Sequence, residues 1–84
     1  MKQFVLLSID FKKDLGQSRR RQFADALKER DWRREIPSAF VWWKRIDKRP
    51  KEQARKEIRQ SAKEADIEQY NAMLQVSPEK PKDF

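Results

Sequence analysis

An α+β domain of ferredoxin-like type, an antiparallel sheet with two helices on one face, is predicted by the order of elements along this chain. Residues 3–11 (QFVLLSIDF) and 39–46 (AFVWWKRI) carry the apolar, β-branched and aromatic content of strands. Residues 18–31 and 51–66 repeat apolar side chains at helical intervals. With shorter strand segments at 32–36 and 70–76, the order is β-α-β-β-α-β.

In the first strand Val5, Leu7, Ile9 and Phe11 alternate with Phe4, Leu6, Ser8 and Asp10. Both rows are mostly apolar, which marks a central strand covered on both sides. Helices cover one face only in this fold, so the face of Phe4 and Leu6 is expected to meet a second copy of the chain. Gly16 is the pivot of the following loop, and Ser18 is the expected N-cap of the first helix. Phe23 and Leu27, with Ala24 and Ala26, form its apolar stripe. Arg19, Arg20 and Arg21 occupy its first turn, where cations oppose the helix dipole at a cost of about 0.3–1 kcal/mol each. Acids would stabilise that turn, so an electrostatic purpose is the functional reading and a solvated turn the structural one.

Pro37 and Ser38 read as the tip of a hairpin between 32–36 and 39–46. Trp42 and Trp43 are adjacent in a strand, so one enters the core and the other lies on the bare face. Beside Arg and Lys, that second ring suits either a dimer contact or a nucleic-acid platform. Pro50 opens the second helix, whose stripe is Ala54, Ile58, Ala62 and Ala65. Its other face mixes charges (Lys51, Glu52, Arg55, Lys56, Glu57, Arg59, Lys63) and reads as a solvated surface. The last strand is expected at a sheet edge or docked across a dimer. One domain therefore spans 1–76, followed by a tail, 77–84 (SPEKPKDF).

The 84 residues include no cysteine and no histidine, which removes disulfides, the usual zinc sites and histidine general bases. The apolar run near the start is too short for a membrane span, and a cytoplasmic protein without membrane contact is the expectation. Net charge is +7, and residues 1–50 hold 14 Lys/Arg against 7 Asp/Glu while residues 51–84 hold 7 of each. That excess suits a polyanion-binding face built from the first helix and the hairpin.

No nucleotide-binding loop, nucleophile elbow or metal-ligand cluster is present. The one strand-borne site candidate is Asp10. A carboxylate there can pair with Lys12 or Lys13. If the bare faces of two copies meet, two Asp10 side chains approach one another, and such a pair can hold Mg²⁺ or Mn²⁺.

FVLLSID in the first strand, SRRRQFADALKERDW and IPSAFVWWKRI together resemble the small CRISPR adaptation subunit of endoribonuclease character, and are similar to VapD-type ribonucleases and the GhoS-type antitoxin. Asp10, Arg19 to Arg21 and Ser38-Ala39-Phe40 occupy the places of that family's strand-end aspartate, arginine-rich helix and hairpin. The resemblance implies a ferredoxin-like homodimer that binds RNA or DNA, with Asp10 catalytic and metal-binding. Arg19, Arg20, Arg21, Arg33, Arg34 and Lys44 would contact nucleic acid, and the activity would be that of a metal-dependent endonuclease. Lys12-Lys13 after Asp10 and the highly charged second helix depart from the pattern. The alternative is a non-enzymatic interaction protein (an antitoxin, immunity protein or phage-encoded inhibitor) whose basic surface covers an acidic protein partner.

Overall fold

A computed structural model describes residues 2–12, 14–34 and 41–79. The elements in order are β1 (Phe4–Phe11), α1 (Gln17–Glu29), β2 (Val41–Arg45), α2 (Pro50–Glu64) and β3 (Tyr70–Ser77). They form a three-stranded antiparallel sheet in the order β2-β1-β3. Of the expected strand at 32–36, the described part is reduced to one antiparallel bridge, Arg33 to Trp43, on the outer side of β2. The chain thus falls short of six full elements among the described residues. The expected hairpin tip at Pro37-Ser38, the Ser38-Ala39-Phe40 segment, Lys13 and tail residues 80–84 lie outside them.

Alternation in β1 works as the sequence implies. Val5, Leu7 and Ile9 are buried under the helices, while Ser8 and Asp10 are exposed on the other face. The register sets Leu7 between Trp42 and Leu74, so one cross-strand row crosses the whole sheet inside the core. Phe23 and Leu27 of α1 and Ala54, Ile58 and Ala62 of α2 close that core, together with Ala65 beyond the end of α2. Phe23 meets Phe11 edge-on, with ring centroids 5.4 Å apart. The alanines of α2 project only a methyl group, which lets the helix sit close on β1 and β3.

Helix α1 begins one residue before the expected cap: Gly16, in extended conformation, is the N-cap, and no side chain caps the helix. Both helices end alike. Trp32 N–H donates to Leu27 C=O and Asp31 N–H to Lys28 C=O, while Ile67 N–H donates to Ala62 C=O and Asp66 N–H to Lys63 C=O. These are paired Schellman closures with an aspartate, not a glycine, in the left-handed position (φ 66° at Asp31, 57° at Asp66). The next residue, Trp32 or Ile67, turns back into the core. The sequence writes this stop twice, as Lys28-Glu29-Arg30-Asp31-Trp32 and Lys63-Glu64-Ala65-Asp66-Ile67.

Candidate phosphate-binding site at the end of the sheet

Where β1 runs out and β3 begins, the fold gathers a group of charged residues around the start of α1. A helix N-terminus leaves N–H groups without intrahelical acceptors and carries a partial positive charge. In α1 no side chain answers those groups, and no acid stands in the first turn. Lys12, Arg19 and Arg20 stand at this end instead, Arg21 follows in the second turn because the helix starts earlier than expected, and Asp14, Asp66 and Glu68 line the adjoining cleft. Lys12 and Arg21 are exposed. Arg20 folds back, donating to the Lys12 carbonyl at 3.3 Å with its guanidinium 5.9 Å from the centre of the Phe11 ring. Arg19 pairs with Asp66 at 3.3 Å, both side chains largely exposed. The loop residue Gly16 has open space where a Cβ would stand, so the backbone there is approachable.

Two depressions share this end of the molecule. A cleft of about 890 Å³ runs between the loop before α1 and the segment after α2, lined among others by Lys12, Gly16, Ser18, Arg19, Asp66 and Glu68. A second, of about 440 Å³, is lined by Asp10, Phe11, Lys12, Glu68, Gln69, Tyr70 and Asn71. Asp10 is exposed and opposite Asn71 in the β1–β3 register, and it makes no ion pair among the described residues. Glu68 is the site residue that sequence reasoning missed. It stands just before β3, 58 residues along the chain, and only the antiparallel pairing brings it to the groove of Asp10. Two carboxylates and two amides are oxygen donors of the kind Mg²⁺ and Mn²⁺ accept, commonly one or two carboxylates with substrate phosphates completing the shell. No cluster of three or more His, Cys, Asp or Glu side chains suited to a metal occurs among the described residues.

The remaining expected contacts lie elsewhere. α1 has 13 residues, so its two ends are roughly 20 Å apart, and Arg33 and Arg34 follow the far one. Arg33 covers the Trp43 ring at 5.7 Å on the open face, and Arg34 stacks on Trp42 at 4.5 Å on the helix side. Lys44 points into the helix layer and pairs with Glu57 at 2.7 Å. The tryptophans divide as predicted, with Trp42 in the core and Trp43 on the open face. Even so, Trp43 is only 8% exposed, with Phe4 6.1 Å from it. Among the described residues the large hydrophobic side chain most open to solvent is Met73, at 75%.

Charge is distributed differently in space than along the chain. Glu57 accepts hydrogen bonds from Trp32 Nε1 (3.1 Å), Lys44 Nζ (2.7 Å) and Gln53 Nε2 (2.9 Å), and is therefore not part of a solvated mixed face. Glu64 pairs with Arg30 of the first half, which holds its carboxyl below the usual carboxylate range. Arg45 does the same to Asp47, which also accepts from the backbone N–H of Gln3 at 3.1 Å. Two acids of α2 thus neutralise cations of the first half. The row Lys51, Arg55, Arg59 and Lys63 is left exposed, with no ion pair among the described residues. No described helix is long and apolar enough to cross a membrane. No protein-family model, curated protein or solved structure matches the chain.

Proposed function

We propose that the chain is a nucleic-acid-binding protein that anchors the phosphate backbone of RNA or DNA at the start of α1. The observation that carries this reading is an uncapped helix N-terminus, without an acid in its first turn, with Lys12, Arg19 and Arg20 beside it and Arg21 in the next turn. Free backbone N–H groups and the positive end of the helix favour an anion there, and guanidinium groups add forked donors suited to phosphate. The reading includes a complete β-α-β-β-α-β domain, in which the Arg33–Trp43 bridge marks the place of a fourth strand beside β2. It also includes pairing of two copies through the open face that bears Phe4, Leu6 and Met73.

Fluorescence anisotropy with labelled single-stranded and duplex oligonucleotides, across a salt series, tests the anchor. Replacing Arg19, Arg20 and Arg21 together with Ala should weaken binding strongly. It should flatten the dependence of log affinity on log salt by about 0.7–0.9 for each lost phosphate contact. The comparison variant replaces Arg55, Arg59 and Lys63. Equal losses in the two would show diffuse attraction to a polycation, and absence of wild-type binding at low salt would refute the reading.

A second reading, metal-dependent cleavage of the bound strand, is favoured by one observation: Asp10 and Glu68 line the groove that shares Lys12 with the anchor. In that reading Asp10 and Glu68 would hold a Mg²⁺ or Mn²⁺ ion, which supplies Lewis-acid polarisation of a phosphate. The chain's own part is to hold the phosphate beside those carboxylates through Lys12 and the start of α1. Asp10→Asn and Glu68→Gln should each abolish metal-dependent cleavage without changing binding or thermal stability. Cleavage that survives either change, or excess chelator, would remove that carboxylate from the chemistry.

A further inference from the structure

β3 is an edge strand whose own residues carry no charge, proline or bulge to blunt the edge. Its inner side pairs with β1 over eight consecutive residues, and no described strand pairs with its outer side. Native edges are commonly blunted by charged residues, proline or bulges. The strand Tyr70–Ser77 (YNAMLQVS) has no charge, proline or glycine, in a protein whose residues are 42% charged, and its ladder runs without a bulge. A row of backbone N–H and C=O groups is therefore offered outward along the strand.

The rim above that edge is cationic. α2 leaves the helix-side residues of β3 incompletely covered: Ala72 is exposed, and Tyr70, Leu74 and Val76 are half-buried. A groove of about 160 Å³ there is lined by Lys51, Arg55 and Arg59 of α2 together with Ile58, Tyr70, Ala72 and Leu74. The three cations are exposed and form no ion pair among the described residues. Spaced four apart, they follow one another along the helix at about 6 Å. A strand added beside β3 repeats its helix-side residues every second position, at about 6.8 Å. The two repeats nearly coincide over three positions.

We propose that the outer edge of β3 takes up an extended segment of a partner protein with acidic residues at alternate positions, as an added strand beneath the Lys51–Arg55–Arg59 row. Backbone hydrogen bonds to the edge supply affinity, and the alternating carboxylates supply selectivity. A second copy of this chain is a poor occupant. Its β3 contains no acid, and antiparallel pairing about a two-fold axis would set the two cationic rows against each other. The site is separate from the start of α1 and does not depend on nucleic-acid binding there.

The test uses the full chain and a fluorescein-labelled eight-residue peptide that alternates Glu with Val. Controls are the same peptide with Lys for Glu, and one with its four Glu residues contiguous. The alternating Glu peptide should bind, and its binding should weaken about tenfold or more when Lys51, Arg55 and Arg59 are replaced by Ala. The Arg19/Arg20/Arg21→Ala variant should bind it as the unmodified chain does. Methylation of one alternate set of the peptide's backbone amides should abolish binding and methylation of the other set should not, because an added strand directs only every second N–H to the edge. NMR shift changes should concentrate in residues 70–77. Equal binding of the contiguous or Lys peptide, equal tolerance of both methylated sets, or no binding at millimolar peptide would overturn the proposal. So would an oligonucleotide that displaces the peptide and depends on the same three cations, since the row would then be a nucleic-acid surface.

Discussion

Glu57 gives the sharpest check on how this fold is held. Its side chain is 12% exposed and receives Lys44, Trp32 and Gln53 at once, joining α2 to β2 and to the turn after α1. In Glu57→Ala the ammonium of Lys44, whose side chain is 21% exposed, loses its counter-charge, and the Trp32 indole N–H loses its acceptor. Removing one partner of a fully buried pair costs about 3–5 kcal/mol. Lys44 keeps a route to water along its flexible stem, which lowers that to about 2 kcal/mol. The stranded indole N–H adds about 1 kcal/mol. A loss of about 3 kcal/mol is a large share of the roughly 4–12 kcal/mol expected of a domain this size. Denaturant unfolding at pH 7, followed by circular dichroism and tryptophan fluorescence, measures it. The double variant Lys44→Met with Glu57→Leu removes both charges, and should recover to within about 1.5 kcal/mol of the unmodified chain. A Glu57→Ala cost below about 0.5 kcal/mol, or strictly additive effects in the pair, would refute the inward placement of this carboxylate.

Three further outcomes follow from the same geometry. Asp31→Gly places the favoured residue in a left-handed position and removes a negative charge from a helix C-terminus, so thermal denaturation should show about 0.5–1 kcal/mol of stabilisation, and a lower melting temperature would count against the Schellman closure. Asp47 and Glu64 have folded-state pKa values depressed chiefly by hydrogen bonds from Arg45 and Arg30, so their contribution to stability is present at neutral pH and is lost as pH falls below roughly 4 through the folded values. Unfolding measured between pH 6 and 2.5 should decline on that limb, less steeply in Asp47→Asn, and an unchanged slope would refute the assignment. Sedimentation at micromolar concentration should give about twice the monomer mass if two open faces pair, with Met73→Lys shifting the species toward monomer; a monomeric unmodified chain would remove self-pairing from the proposed function.

The rows of β1, the stripes of both helices and the division of Trp42 from Trp43 were legible in the sequence, because period two and period 3.6 are local properties of the backbone. The three arginines at the start of α1 were legible for the same reason: a helix terminus has a fixed sense along the chain. Only the tertiary structure decided where the acids of α2 turn. Counting charges by segment made residues 51–84 neutral, yet Glu57 and Glu64 face Lys44 and Arg30, 13 and 34 residues away, and the row Lys51, Arg55, Arg59 and Lys63 is left to solvent. That Asp10 and Glu68 line one groove rests on antiparallel register between strands far apart in sequence. The expected strand at 32–36 is, in its described part, a single bridge, because the Schellman closure turns Trp32 into the core and leaves Arg33 as the first residue free to pair with β2. Local pattern determines which side of an element is apolar. Which charge answers which is set by the packing of elements on one another, and no window of sequence contains it.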